Sequence, residues 1–165
     1  MDIYFTSDLH LGHANIIKYC NRPFRDVEEM DETIINNWNS KVSQNDTVWI
    51  LGDFSFYRNE KNSWILSRLN GEKHLVIGNH DKKNRAKKAV GWASTQNDMT
   101  IEIDNKKIFL CHYPHEQWKD KWLEQNIHLH GHSHGTSEVQ LNRYDVGVDV
   151  WSFFPMTLEE IINGK

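Results

Sequence analysis

Cysteine is nearly absent from this chain of 165 residues: Cys20 and Cys111 are the only two. Two are too few for a disulfide framework and suit a reducing compartment, so a secreted miniature scaffold is excluded and a cytoplasmic location is expected. Proline is scarce at 3 and glycine stops at 9, which excludes collagen-like and low-complexity chains. No apolar run reaches the roughly 18 residues that cross a bilayer, so no membrane partner is expected. Met1 leads straight into Asp-Ile-Tyr-Phe-Thr without a basic stretch or a small-residue cleavage site, which argues against a signal peptide. An excess of positive charge is missing too. With 19 basic against 23 acidic residues the formal charge is −4, so nucleic acid held mainly by bulk charge starts as a weak reading. No repeat or linker interrupts residues 1–165, which read as a single domain long enough to bury a core.

What the chain does have is histidine, ten of them. Imidazole is both a common metal ligand and the proton carrier of physiological pH, and position decides between the two uses.

The hydrophobic pattern places those positions. Asp2 to Thr6 opens as a strand. Asp26 and Glu29 form a capping-box signal, followed by Val27, Met30, Ile34, Trp38 and Val42 on one helical stripe ending near Ser43. Thr47 to Leu51 is a continuous apolar run, as in a strand buried on both faces. A helix over Glu60–Leu69, a strand over His74–Ile77 and a basic helix over Asp81–Ala89 follow. This alternation predicts an α/β fold with a largely parallel sheet. The second half predicts a hairpin around Asp104-Asn105-Lys106, a helix bearing Trp118 and Trp122, and a strand over Ile127–His130. Strands around Arg143–Val148 and a last helix, Leu158–Ile162, capped by Thr157 and Glu160, complete the pattern.

Polar clusters fall just past the predicted strands: Asp8 and His10, Gly52-Asp53, Gly78-Asn79-His80-Asp81, His112, and Gly131-His132-Ser133-His134. Ligands gather outside the carboxyl ends of strands in such sheets, so five segments can serve one rim. Asp8, His10, Asp53, Asn79, His112, His132 and His134 offer oxygen and imidazole nitrogen and no thiolate. That mix suits Mn, Fe, Zn, Co or Ni, and is too rich in imidazole for Ca or Mg. Seven ligands exceed the needs of one four-coordinate ion and fit two divalent ions sharing a carboxylate. Gly52, Gly78 and Gly131 are expected to let the backbone turn sharply into the site.

These blocks, in this order from residue 8 to residue 134, resemble the calcineurin-like metallophosphoesterase superfamily. Phe5-Thr-Ser-Asp-Leu-His-Leu-Gly-His13, Arg22-Pro23-Phe24 and Val146-Gly-Val-Asp149 resemble its compact prokaryotic and phage members. The resemblance implies a four-layer α/β/β/α sandwich of two mixed sheets. It also implies a first ion held by Asp8, His10 and His134, a second by Asn79, His112 and His132, and Asp53 bridging them. His80 would face the substrate. The cofactors would be two divalent transition-metal ions, manganese first, with Fe, Zn, Ni and Co as alternatives. Such a pair can hold a bridging hydroxide that attacks a phosphoryl group.

Around this centre, His80 reads as the general acid. Asp81 reads as a catalytic residue orienting His80 or, equally, as a helix cap. His13, Arg22 and Arg25 are candidate substrate contacts, against surface ion pairs as the ordinary fate of the two arginines. The run Lys82, Lys83, Arg85, Lys87 and Lys88 begins beside His80 and suits either a solvated face or a polyanion. His128 and His130 read as structural, His74 and His115 carry no signal, and the tryptophans read as core. The expected activity is metal-dependent phosphoester hydrolysis. Phosphodiesters of nucleotides or nucleic acid are the preferred substrate partners, because the chain has no length for a cap domain. A phosphomonoesterase with the same site and a non-catalytic scaffold of the same fold are the alternatives.

Overall fold

The computed structural model describes residues 1–84, 86–119, 121–123 and 125–164. The elements run β1 (Ile3–Thr6), α1 (Ala14–Tyr19), α2 (Val27–Lys41), β2 (Thr47–Ile50), α3 (Asn59–Arg68), β3 (Glu72–Val76) and α4 (Asn79–Asn84). Then come a short 3-10 turn (Ala86–Lys88), β4 (Ser94–Gln96), β5 (Asp98–Ile103), β6 (Lys106–Cys111), β7 (Ile127–His130), β8 (Arg143–Asp145), β9 (Met156–Thr157) and α5 (Leu158–Asn163). They form two mixed sheets, in the orders β4-β3-β2-β1-β9 and β5-β6-β7-β8. In the first, β1 to β4 are parallel and β9 returns antiparallel to β1. In the second, β5 and β6 form an antiparallel hairpin, and β6, β7 and β8 are parallel.

The period of two along the strands makes the layers. Tyr4, Val48, Ile50 and Leu75 face one way, onto Met30, Ile34, Trp38, Ile65 and Leu66 of α2 and α3. Phe5, Trp49, Leu51 and Val76 face the other way, onto Ile108, Leu110, Ile127 and Leu129 of the second sheet. The first sheet is therefore covered on both faces, which explains its continuous apolar runs. Trp38 anchors the helical side and donates its ring N–H to the Asn70 carbonyl at 3.0 Å. Cutting such a side chain to alanine costs about 3–5 kcal/mol.

Local signals set the helix starts. The Asp26 carboxylate accepts the Glu29 N–H at 2.9 Å, but Glu29 reaches past it to the Arg25 N–H at 2.7 Å. At α5 the Thr157–Glu160 box closes in both directions, and Glu160 also holds Lys41 at 2.7 Å, pinning α5 to the end of α2.

The expected sandwich of two mixed sheets is present, with two departures among its helices. The predicted Trp118/Trp122 helix is not there: residues 112–126 are irregular among the described residues. Trp118 is buried against the His128 ring at 5.3 Å, whereas Trp122 is 82% exposed, so only one of the pair packs on the sheet. The basic helix is split into α4 and the 3-10 turn. Of its run, Arg85 and the side chains of Lys82 and Lys83 lie outside the described residues. No helix among the described residues is long and apolar enough to cross a membrane.

Candidate metal centre

Because β1, β2 and β3 are parallel in one sheet, and β6 and β7 in the other, their carboxyl ends deliver the following loops to one rim. The β1–β2 pairing continues beyond the strands, with Asp8 N–H donating to Gly52 O and His10 N–H to Asp53 O, both at 3.0 Å. The sheets meet at a bridge between Ser7 and Gly147. Asp8, His10 and His134 bring ligand atoms within 4.8 Å of one another, and so do Asp53, His112 and His132. Asn79 joins the second group, its Oδ1 3.0 Å from His112 Nε2. The Asp53 Oδ2 atom lies between the groups, 3.7 Å from His10 Nε2 and 3.5 Å from His112 Nε2.

The backbone bends hard to do this. Asp8, His10, Asp53, His132 and His134 all have left-handed φ, from 46° to 69°. Asp and His tolerate this region better than most side chains, yet it costs roughly 1–2 kcal/mol per residue. Of the three glycines expected to provide sharp turns, only Gly52 does so, at φ 95°. Gly78 and Gly131 make room instead. A Cβ on Gly131 would lie 1.9 Å from Ser7 Oγ and 2.4 Å from Asp8 Oδ2, and one on Gly78 would lie 2.2 Å from Asp53 Oδ1.

The donor set fits cations. Asp8 Oδ1 and His10 Nε2 are buried, 3.9 Å apart, and neither has a hydrogen-bond partner. Orphaned buried polar atoms are costly unless something charged satisfies them. His112 donates Nδ1–H to the Leu51 carbonyl at 2.7 Å, which leaves its Nε2 lone pair facing the Asn79 carbonyl oxygen. Two acceptors aimed at each other call for a cation or a proton. Burial pushes the Asp8 carboxyl up to about 7 and drives the His10 imidazole well below its ordinary value. Burial, then its histidine neighbours, lower His13 and His132 as well. His134 goes the other way. Burial opposes its charge, but the bond from Nδ1 to Asp149 Oδ2 at 2.7 Å and the Asp8 carboxylate raise it.

Those shifts fix a pH dependence. In the ion-free protein the folded state prefers Asp8 and His134 protonated. The Asp8 contribution is present at low pH and is lost as pH rises from 3.8 toward about 7, and the His134 contribution is lost above 6.5. Both groups must shed the proton to ligate. The rise in Tm on adding Mn or Zn should therefore grow between about pH 6 and about pH 8. An increment that stays flat across that range in scanning fluorimetry contradicts the assignment.

The remaining candidates separate clearly. The His80 N–H donates to Asp53 Oδ1 at 2.9 Å, and its ring, 34% exposed, faces the opening with Nε2 3.9 Å from Asp53 Oδ2. Asp81 does not orient that ring. Its fully buried carboxylate accepts the N–H groups of Gly78, Asp53 and Phe54 at 2.8, 2.8 and 3.0 Å. It caps α4 by reaching back to Gly78 and holds the Asp53 loop, so it is a positioning residue. Arg22 is neither a substrate contact nor a surface pair. Its guanidinium is buried, bidentate to Asp149 at 2.8 Å, and bonded to the Asp8 and Leu9 carbonyls. Arg25 is 81% exposed in its side chain and pairs with its neighbour Asp26, the ordinary surface fate. His13 does lie at the centre, with Nδ1 3.4 Å from His10 Nδ1.

Two side chains at the candidate centre were given no role by the sequence reading. Asp149 receives both Arg22 and His134, so it orients a candidate ligand from behind. The need of any ligating imidazole for a partner on its other nitrogen was the available signal. Phe56 stacks on His13 at 3.9 Å and lies 4.8 Å from the His80 ring. Alternation after Asp53 sends Phe54 into the core and Phe56 to the rim. Cys20 also comes within 4.8 Å of His134 and Asp149, but Asp149 is already engaged.

Comparison with known proteins agrees with this geometry. A family model described as the calcineurin-like phosphoesterase superfamily domain matches residues 1–151. An uncharacterized protein of Methanocaldococcus jannaschii is 37% identical, covering 97% of this chain and 89% of its own length. The gene 66 protein of Mycobacterium phage L5 is 34% identical, covering 90% and 86%. A crystal structure of an Aquifex aeolicus protein of unknown function superposes with a TM-score of 0.79 over 99% of both chains, at 26% identity.

Proposed function

The chain belongs to the calcineurin-like phosphoesterase superfamily, and on that premise we propose that it is a dinuclear metal-dependent hydrolase of phosphodiesters. The observation that carries the reading is the pair of ligand groups meeting at Asp53 Oδ2. Asp8, His10 and His134 would hold one ion, and Asn79, His112 and His132 the other, with Asp53 shared. The set of oxygen and imidazole ligands favours Mn, with Fe, Zn, Ni and Co as alternatives. When bound, such ions supply Lewis acidity to phosphoryl oxygens and lower the pKa of water.

The chain's own residues do the rest. Asp149 keeps His134 in the tautomer with Nε2 free, as the Leu51 carbonyl does for His112. Asp81 fixes the backbone from which Asp53 projects. His80, anchored through its backbone to Asp53 and open to solvent through its ring, donates a proton to the leaving oxygen.

The preference for diesters rests on charge. A monoester dianion calls for a cationic clamp beyond the ions, and Arg22 is committed to Asp149 and to two carbonyls. The imidazoles at the rim suit a monoanion better. With Mn, Ni, Zn or Mg added, kcat/KM for a nitrophenyl diester should exceed that for nitrophenyl phosphate by about tenfold or more, about 1.4 kcal/mol in barrier. A monoester preference would select the phosphomonoesterase alternative. Hydrolysis of neither, with ions bound, would leave a non-catalytic scaffold.

A further inference from the structure

Beside the first ligand group runs a groove of about 610 Å³, walled by Tyr19, Cys20, Asn21, His132, His134 and Thr136 among others. Its volume falls in the range of small-ligand sites. Two candidate metal ligands form one wall, so whatever enters the groove is continuous with a phosphoryl group at the centre. Among the described residues no Lys, Arg, Asp or Glu lines it, which suits an uncharged part of a ligand.

The aromatic arrangement narrows the chemistry. Phe56 and His13 stack face to face with a 14° tilt, and Tyr19 follows edge-on to His13 at 6.2 Å. Tyr19 ends α1 with 71% of its surface exposed. Exposed aromatics next to a phosphate site are platforms for flat π systems. Nearby, Asn21 is exposed and lines the groove, so its amide is open to a ligand. Thr136 Oγ1 donates to the Ser133 carbonyl at 2.6 Å, keeping its lone pairs as acceptors. An amide and a hydroxyl oxygen beside a stacking ring match the edge of a heterocycle.

We propose that this groove is a nucleobase subsite, with the base stacked on Tyr19 and its edge bonded by Asn21 and Thr136, making nucleoside phosphodiesters the substrate class. The inference rests on the phosphodiesterase reading above.

The test compares two monoanionic diesters with one leaving group, thymidine 5′-(p-nitrophenyl phosphate) and methyl p-nitrophenyl phosphate, on the Mn-loaded protein. The ratio of their kcat/KM values should favour the nucleoside ester by about tenfold, and Tyr19→Ala should erase most of that ratio through KM. Tyr19→Phe, which keeps the ring, should preserve it. Calorimetry with thymidine 5′-monophosphate against methyl phosphate gives a readout independent of turnover and should follow the same order. A ratio near one in the wild type, or one unchanged by Tyr19→Ala, overturns the subsite while leaving the hydrolase reading intact. Preferential binding of the thymidine ligand without turnover of either ester overturns the hydrolase reading and keeps the subsite. Neither binding preference nor turnover overturns both.

Discussion

Asp53→Ala should empty both ion positions together and lower diester hydrolysis by about 10³-fold or more, beyond the 10–100-fold typical of residues that merely orient ligands. Its Oδ2 lies near both groups, 3.7 Å from His10 Nε2 and 3.5 Å from His112 Nε2. Its Oδ1 also holds the His80 N–H, so the same change loosens the proposed acid. The variant that separates these roles is Asp53→Asn, which keeps an oxygen for His80 but removes the charge. His134→Ala, by contrast, should weaken chiefly the group that contains Asp8 and His10. Metal content by elemental analysis decides the matter. An Asp53→Ala protein that retains one full equivalent of ion shows that the groups are independent.

The loss from His80→Ala should depend on the leaving group. An alkoxide leaves poorly unless protonated, and general acid catalysis contributes roughly 10²–10⁴-fold. Nitrophenolate is stable as an anion and barely needs the proton. Metal content should stay intact, because the His80 imidazole Nε2 lies 3.9 Å from the Asp53 oxygen and no candidate ligand group among the described residues includes it. The cost should be small on a nitrophenyl diester and about 10²-fold or greater on a dinucleotide. Equal losses on both would make His80 a phosphate-positioning residue, and a fall in metal content would make it structural.

Why some of this was legible in the sequence, and some not, follows from the range of the interactions involved. Thr157 and Glu160 cap α5 through contacts three residues apart, so the signal and its cause sit together. The ligand blocks were legible because each needs only a strand followed by its own side chains. Gly131 was misread because its crowding comes from Ser7 and Asp8, more than a hundred residues away in sequence. Arg22 was misread for the same reason: its partner is Asp149. The Trp118/Trp122 spacing suggested a helix, but burying Trp118 alone on His128 satisfies the sheet without one. The edge strands β4 and β9 had no clear pattern, since two or three residues become strands only by pairing with β3 and β1.

Each ligand group takes side chains from both sheets: Asp8 and His10 with His134, and Asp53 with His112 and His132. Ion binding there would therefore be coupled to the sheets staying together at that end, and its free energy would add to the resistance against partial opening. The two ends of the sandwich then differ in how readily they breathe. With ions bound, the rim would act as a clasp whose strength follows the free ion concentration. At the opposite end, where the β5–β6 hairpin turns at Asp104 and Asn105, no candidate ligand group among the described residues joins the sheets. With ions bound, sub-global opening is then expected to start from the side that carries no candidate ligands.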